Sequence, residues 1–350
     1  MCETPAKIKA RFLLYLVVLI EFSSYNKKMD FKEFTAGSDD NDRRLDRVIR
    51  KISGKENLSG LYKAIRKGIV RLNGKKTDAS QRIFEGDKIE IPSFLLKTET
   101  SPQNQKTDLQ IVFQNEDLLV INKPYDIPVH GSANSLEKSA AEFYRSNFPH
   151  RKSISFTPGP LHRLDRKTTG LLAFSLSLKG ARWFSENIAS HSIKKIYTAV
   201  LQGKISGAQS WNDFISKEYS EKKSFQTVKV SAKIKNEPEN TEEKLKFLAA
   251  KTKIRPVKYF SFNGTECTLA EIEIETGRTH QIRAQAAFHG FPLLGDTAYG
   301  GRRISAEQDF FLHAGKLVFP EERLEGLPEK LEAKLPPAFE KFCKTATLNI

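Results

Sequence analysis

The sequence predicts a chain of mixed α and β structure, divided into a small basic module and a larger strand-rich region. Apolar residues between Leu45 and Ile52 recur at helical spacing, and those of 61–65 mark a second helix. Alternating or continuous apolar runs from residue 111 onward predict strands, among them 194–202 and 268–275. The polar stretch 94–107 predicts a linker between the two parts.

The composition limits the classes of function. At 350 residues the chain is long enough for one to three domains with a substantial core. Its net charge of +15 predicts a polyanionic partner, with nucleic acid favoured over a membrane. Cys2, Cys267 and Cys343 are too few and too scattered for a zinc site or a disulfide framework, which is typical of a reducing compartment. No metal site is expected.

The first 42 residues predict no domain. Nine consecutive apolar residues at 12–20 follow three cations, but about 20 would be needed to span a bilayer. No small-residue cleavage pattern follows them. We expect Met29 to be the true start and the preceding 28 residues to be an upstream extension of the reading frame. Residues 30–41 are polar and acidic and predict a loose tail.

The module at 43–93 carries a concentrated positive charge. It contains two predicted helices and short predicted strands at 69–72 and 88–91. The segment from Arg43 to Pro92 contains fourteen Lys and Arg but only six Asp and Glu. This excess accounts for more than half of the net charge of the chain. Such clustering predicts phosphate contacts, although a charged helix surface that binds nothing is the alternative.

The sequence from Leu61 to Lys76, followed by Gly-Asp-Lys-Ile at 86–89, resembles S4 RNA-binding domains. The resemblance implies that 43–93 is an S4-like RNA-binding domain. It implies RNA contacts for four of its cations: Lys63, Arg66, Lys67 and Arg71.

A charged loop at 158–167 precedes the apolar run 171–174, which predicts a buried strand. Two prolines and a glycine at 158–160 exclude regular helix and central strand. Asp165 lies among Arg163, Arg166 and Lys167, and such neighbours keep a carboxylate ionised and can orient it. A rigid strand that supports a charged loop often presents a reactive side chain, whereas a solvated ion pair is the simpler alternative.

The residues 162–170, His-Arg-Leu-Asp-Arg-Lys-Thr-Thr-Gly, resemble the signature of the RluA-type pseudouridine synthases. In that family the Asp is the essential catalytic residue, which corresponds to Asp165. The usual continuation is Arg-Asp-Thr-Ser-Gly, so Lys167 and Thr169 depart from the pattern. Upstream, Val-Ile-Asn-Lys-Pro at 120–124 and Pro-Val-His at 128–130 resemble the opening of the family domain and imply substrate contacts for Lys123 and His130.

Two later segments resemble further motifs of this family. Lys-Ile-Tyr-Thr-Ala at 195–199 corresponds to the motif whose Tyr stacks on the target base, here Tyr197. Thr-Gly-Arg-Thr-His-Gln-Ile-Arg at 276–283 corresponds to the motif whose second Arg, here Arg283, pairs with the catalytic Asp. Gln285 stands where the family often has His. Gly-Asp-x-x-Tyr-Gly at 295–300 and Leu-His-Ala at 312–314 are further landmarks, for which we expect structural roles.

The resemblance covers about 43–342 and implies an RNA pseudouridine synthase of the RluC-like subgroup. The implied fold is α+β, with a mixed, largely antiparallel sheet split by a cleft in a catalytic domain at 108–345, and the small S4 domain in front. The implied reaction breaks the glycosidic bond of a uridine in RNA, rotates the uracil and rejoins it through C5, with no cofactor or metal.

The resemblance also implies the roles of the site residues. Asp165 would attack the sugar or remove its 2′ proton, and the sequence does not decide between these. Arg283 would hold that carboxylate charged and aimed, and Tyr197 would stack on the uracil and could serve as the base at C5. The other implied substrate contacts in the catalytic domain are Arg163, Arg278 and His280.

The expected substrate is large-subunit (23S) ribosomal RNA, bound by a monomeric cytoplasmic enzyme with no membrane partner. A transfer RNA synthase of the same family is one alternative. A non-catalytic S4-type RNA-binding ribosome factor is the other, and the intact Asp165, Tyr197 and Arg283 argue against it.

Overall fold

The computed structural model describes residues 30–53, 58–96, 108–132, 134–148, 153–222, 225–232, 247–305 and 308–345. These residues divide into two compact units. The first contains the described residues up to 96 together with 148 and 153–156, and the second contains the others. The predicted upstream extension at 1–28 and the linker residues 97–107 lie outside the described residues.

The first unit combines two helices with short antiparallel strands. Its elements are β1 (Phe31–Thr35), β2 (Arg43–Arg44), α1 (Leu45–Ile52), α2 (Leu58–Arg66), β3 (Arg71–Leu72), β4 (Lys75–Lys76), β5 (Arg82–Ile83) and β6 (Lys88–Pro92). Four of the strands form a sheet in the order β1-β6-β3-β4, and β2 pairs with β5 separately. The apolar residues whose spacing predicts the helices are buried against the strands, as Leu45, Ile65 and Ile89 illustrate.

Two expectations for the edges of this unit are wrong. Residues 30–41 are not a loose tail, because β1 pairs with β6 along its whole length and Asp40 is fully buried. The start of the predicted linker is also ordered. Leu95 is 1% exposed within a short 3₁₀ turn, and Leu96 pairs with Ser53.

Asp40 connects the start of the first unit to a distant stretch of chain. Its carboxylate accepts hydrogen bonds from the backbone N–H of Ile154 at 2.7 Å and of Ser155 at 3.1 Å, and from the hydroxyl of Ser153 at 2.9 Å. Arg43 donates to the Ser155 hydroxyl at 2.6 Å, and Ile154 packs against the core of this unit. Residues 153–156 are therefore part of the first unit, although they lie far from its other elements in sequence.

The second unit is built on one ten-stranded sheet. Its strands are β7 (Ile111–Gln114), β8 (Leu118–Lys123), β9 (Thr169–Ser175), β10 (Lys194–Gln202), β11 (Gln209–Lys222), β12 (Phe225–Ser231), β13 (Phe247–Phe262), β14 (Thr265–Ile274), β15 (Leu312–Val318) and β16 (Lys330–Glu332). Its helices are α3 (Leu136–Asn147), α4 (Leu178–Ala189), α5 (Gln281–Phe288) and α6 (Pro337–Thr345).

The sheet order is β12-β11-β13-β14-β10-β15-β9-β8-β7, with β16 beside β15. Among the described strands, β9 and β15 form the one parallel pair, and it contains two residue pairs, His313 with Thr169 and Ala314 with Gly170. The α+β class and the mixed, largely antiparallel sheet are therefore confirmed.

The short parallel junction requires a glycine at the start of β9. Gly170 has φ +108°, and a Cβ atom built there would lie 2.3 Å from the carbonyl oxygen of Ala314. Only glycine lets the two strands approach this closely. The close approach fixes the end of the loop that carries Asp165 against the centre of the sheet.

Candidate active site

The loop that carries Asp165 is attached to β9 by a neutral histidine. The backbone N–H of Ala173 donates to Nε2 of His162 at 3.2 Å, so the ring proton lies on Nδ1. The His162 ring stacks on Phe184 with a centroid distance of 5.8 Å. Burial, with a smaller effect of Lys195, lowers the pKa of His162 to about 3. The imidazole therefore acts as an uncharged support for the loop.

Lys123 fixes the other side of the loop, and its predicted substrate contact is wrong. The side chain is fully buried, and its ammonium donates to the carbonyl oxygens of Arg166 at 2.7 Å and Pro124 at 2.9 Å. Burial lowers its pKa to about 8, although Asp165 and Asp126 oppose that shift. An ammonium that is fully buried and bonded to the loop backbone is not accessible to a phosphate.

Arg283 holds two carboxylates from the first turn of α5. Its Nε and Nη2 donate to Asp296 at 2.6 and 3.0 Å, and its Nη1 donates to Asp165 at 3.3 Å. Burial alone would lower the pKa of Arg283, but the hydrogen bond and charge of Asp296 raise it above its usual value. The guanidinium also lies over the rings of Tyr299 and Phe310, at 5.1 and 4.7 Å from their centroids. Arg283 is thus a rigid cation beside Asp165.

His280 completes the immediate surroundings of Asp165. It precedes α5 in a left-handed conformation, with φ 53°. Its Nδ1 lies 3.0 Å from the hydroxyl of Tyr299, and its Nε2 lies 3.9 Å from Asp165. Burial lowers the pKa of His280, although Asp165 acts in the opposite direction. A neutral ring at this position can exchange hydrogen bonds without adding a second full positive charge.

Asp165 lies where two cavities meet. One, of about 540 Å³, is lined by Tyr197, Lys195, Arg278 and Thr276 among others. The other, of about 630 Å³, is lined by residues that include His130, Lys167 and Asp309. Both include Arg163, His280 and Arg283. The carboxylate can therefore contact a ligand from either cavity.

Tyr197 gives the first cavity an aromatic wall. It is 6% exposed and lies on β10, opposite Ile272 of β14. Burial and the nearby Asp165 raise its pKa, so the phenol is neutral at physiological pH. A neutral aromatic ring beside the carboxyl group of Asp165 suits a planar, uncharged base.

Gln285, which departs from the family pattern, belongs to a buried polar network around α5. Its amide donates to Asp213 at 2.6 Å and accepts from the hydroxyl of Thr252 at 2.6 Å. Asp213 also contacts His289 at 2.9 Å, and that ring stacks on Trp211 at 4.6 Å. The network joins α5 to β11 and β13, so Gln285 acts by holding the helix that carries Arg283.

The other predicted contacts, together with Lys167 of the Asp165 loop, lie as follows. Arg163 and His130 are exposed. Arg278 is half-exposed, and its Nε donates a hydrogen bond to the carbonyl oxygen of Ala249. Lys167 forms an ion pair with Asp309. In the first unit, Lys63 and Arg66 are exposed on α2, Lys67 is exposed directly after that helix, and Arg71 is half-buried on β3. The described residues contain no group of three or more His, Cys, Asp or Glu suited to a metal ion. None of the described helices has both the length and the apolar character needed to cross a membrane.

Comparison with known proteins shows which family the chain belongs to. A family model described as RNA pseudouridylate synthase matches residues 117–288. A ribosomal large subunit pseudouridine synthase C of Buchnera aphidicola is 30% identical over 270 residues, which are 75% of this chain and 79% of that protein. The chain belongs to the RNA pseudouridine synthase family.

Two further relatives of this RNA pseudouridine synthase cover most of the chain. The ribosomal large subunit pseudouridine synthase C of Vibrio vulnificus is 28% identical over 338 residues, covering 91% of this chain and 95% of that protein. The solved structure of human RNA Pseudouridylate Synthase Domain Containing 4 matches with a TM-score of 0.52 and 22% identity, over 68% of this chain and 92% of that one. The latter likeness concerns the fold.

Several residues that shape this site of the pseudouridine synthase were not singled out as site residues from sequence. Asp296 and Tyr299 lie in a segment for which only a structural role was expected, and both contact residues beside Asp165. Phe310 gave no signal, since an aromatic residue is common in any sheet protein. Lys195 lies in the family-like segment 195–199, but only Tyr197 of that segment was given a role. The family motifs could have pointed to Asp296, because a buried Arg requires a buried acid.

The neutral state of His162 predicts a pH-dependent stability. An unfolded histidine has a pKa near 6.5, so between about pH 6.5 and 3 the unfolded chain binds a proton that the folded chain does not. The free energy of unfolding should fall as pH falls, by up to about 1.4 kcal/mol per pH unit from this group. His162→Gln, which keeps an acceptor for Ala173, should remove that contribution in urea titrations at pH 7, 6 and 5. The exposed His130→Gln is the control, and equal slopes for both variants would contradict the assignment.

Proposed function

We propose that this pseudouridine synthase acts through Asp165 on uridines of large-subunit ribosomal RNA. The observation that carries the proposal is the meeting of three side chains at one cavity: the carboxylate of Asp165, the guanidinium of Arg283 that contacts it, and the ring of Tyr197. The cavity is large enough for one nucleoside and is bounded by both the acid and an aromatic face.

Asp165 is proposed as the group that attacks the sugar or removes its 2′ proton. Either route needs a carboxylate at a fixed position, and the contact with Arg283 at 3.3 Å restricts that position. The bidentate bond from Arg283 to Asp296 restricts the guanidinium and therefore the acid.

Tyr197 is proposed to stack on the flipped uracil while its glycosidic bond is broken. The raised pKa of its phenol favours this role over that of a base at C5 in the resting enzyme, because the proton is held more tightly than in free tyrosine. Stacking would keep the detached uracil in the cavity while it rotates to present C5 to the sugar. The proposed chemistry uses these side chains and requires no cofactor.

The substrate proposal rests on the relatives and on charge. The relatives in Buchnera aphidicola and Vibrio vulnificus are named for the large ribosomal subunit. Exposed cations on α2 and directly after it fit a role of the first unit as an S4-like RNA-binding domain, in which Lys63, Arg66 and Lys67 would bind phosphates. We propose that the enzyme works as a monomer in the cytoplasm, where ribosomal RNA is modified during assembly.

Tritium release from RNA labelled with 5-³H-uridine tests this proposal, because the tritium at C5 is lost when that carbon bonds the sugar. Large-subunit ribosomal RNA and transfer RNA are assayed separately. Release from ribosomal RNA alone is the expected result. Release from transfer RNA alone would retain the activity and overturn the substrate, and release from neither while RNA is bound would favour a binding factor.

The exposed cations on α2 and directly after it predict a change in the salt dependence of RNA binding. Replacing Lys63, Arg66 and Lys67 by Gln should weaken binding and make the slope of log affinity against log salt shallower by up to about 2–3, since each phosphate contact contributes roughly 0.7–0.9. Filter binding to ribosomal RNA at several salt concentrations measures this slope. The matched control replaces three exposed cations of the second unit, Lys334, Lys341 and Lys344. An equal change in both triple variants would show a general charge effect.

A further inference from the structure

A buried lysine faces the same cavity as Tyr197. Residues two apart on a strand point to the same face, so Lys195 and Tyr197 lie on one side of β10, about 7 Å apart along the strand. Lys195 is 6% exposed and lines the cavity of about 540 Å³. Its ammonium lies 3.6 Å from where a Cβ atom of Gly277 would be, so the wall beside it is bare backbone.

This lysine has no acidic partner among the described residues. The two carboxylates that line the cavity are occupied elsewhere: Asp165 pairs with Arg283 at 3.3 Å, and Glu275 pairs with Lys253 at 2.9 Å. Burial lowers the pKa of Lys195, and the nearby charge of Arg278 lowers it further. The two cations therefore repel each other with no protein anion between them.

A largely buried lysine whose ammonium opens on a cavity and has no acidic partner costs free energy in the folded protein. A compensating anion from the ligand would offset that cost when the ligand binds. In an RNA strand the ribose separates each base from the backbone phosphate. Lys195 and Tyr197 are separated in a similar way, because they lie two positions apart on the same face of β10. A nucleotide whose base stacks on Tyr197 can thus place a backbone phosphate near Lys195 and Arg278.

We propose that Lys195 binds a backbone phosphate next to the flipped uridine, a contact that rests on the proposed function for the placement of the base. Arg278, which also lines this cavity, contributes to the same anion site. The site orients the target nucleotide by its backbone, so it recognises RNA irrespective of the neighbouring bases.

The test compares Lys195→Met with Lys194→Met. Lys194 precedes it on β10, is exposed and points to the opposite face, so it controls for the loss of one positive charge. Equilibrium binding of large-subunit ribosomal RNA is measured at several salt concentrations, with thermal unfolding of the free protein and tritium release measured on the same preparations. Lys195→Arg keeps the charge.

We expect Lys195→Met to weaken RNA binding without lowering the stability of the free protein. Lys195→Met should make the salt slope shallower by about 0.7–0.9 relative to Lys194→Met, while the Tm of the free protein stays equal or rises because a buried unpaired charge is removed. Lys195→Arg should retain most of the slope. The phosphate site would be overturned if Lys195→Met had the same salt slope as Lys194→Met. It would also be overturned if Lys195→Met lowered the Tm and Lys195→Arg did not restore the slope. Absence of tritium release from the wild type would refute the proposed function, whereas the binding slope would still decide the role of Lys195.

Discussion

Asp165→Asn should reduce pseudouridine formation by at least about 10²–10⁴-fold while the protein remains folded and binds RNA. The amide has nearly the shape of the carboxylate but can neither attack the sugar nor accept a proton at neutral pH. Arg283 retains its bidentate contact with Asp296, so the buried cation is still compensated. Single-turnover tritium release measures the chemical step, and filter binding measures the affinity, which should be unchanged or tighter because a negative charge is lost.

Asp108→Asn is the matched control for this variant. Asp108 is exposed, lies in the same unit and does not line either cavity at Asp165. It should release tritium at the wild-type rate. If Asp165→Asn retained a comparable rate, the catalytic assignment would have to be abandoned, even though the family membership would stand.

Arg283→Met should produce the largest loss of stability among single substitutions in the site. It leaves Asp296, which is 2% exposed, as a buried carboxylate without its cation. Breaking one partner of a buried pair costs about 3–5 kcal/mol in free energy of unfolding. Urea unfolding measures this loss. Arg255→Met, which breaks the exposed pair with Glu271, should cost no more than about 1 kcal/mol.

The double variant Arg283→Met with Asp296→Leu separates the structural effect from the catalytic one. Removing both charges should restore most of the free energy of unfolding, because no uncompensated charge remains. Tritium release should not recover, since Asp165 still lacks the cation that fixes it. Recovery of both stability and turnover would mean that Arg283 contributes to folding and not to positioning.

The elements with clear local patterns were predictable from sequence. Helices α1 and α2 and strands β9, β10 and β14 lie where periodicity and turn residues predict them, within a few residues at each end. The predicted strand 194–202 has the same bounds as β10, because a turn flanks this strand and its residues alternate in burial. In these segments local preference and tertiary burial act in the same direction.

Other elements left no such signal. The sequence predicts a loose tail where β1 lies, because its five residues are largely polar. The order of this strand depends on its pairing with β6 at the other end of the unit. The two-pair parallel junction of β9 with β15 was not predicted either, because it is fixed by the absence of a side chain at Gly170.

For the site, the motifs identified Asp165, Tyr197 and Arg283 as a group, and the structure places them at one cavity. Their spacing in sequence did not show which cations would face substrate. Lys123 and Lys195 are both buried strand lysines, yet the first donates to backbone carbonyls and the second has no acidic partner among the described residues. That difference depends on where neighbouring loops end, which single-chain patterns do not encode.

The hydrogen bonds of Asp40 to residues 153–155 make the first unit discontinuous in sequence. The chain leaves this unit after its N-terminal part, returns to it between α3 and the loop of Asp165, and leaves again. A truncation that deletes the N-terminal part would therefore strip Ile154 of its apolar neighbours and Ser155 of its acceptor. Moving the first unit onto another enzyme through a single splice point would likewise leave out residues 153–156. A domain exchange must therefore transfer the N-terminal part and residues 153–156 together.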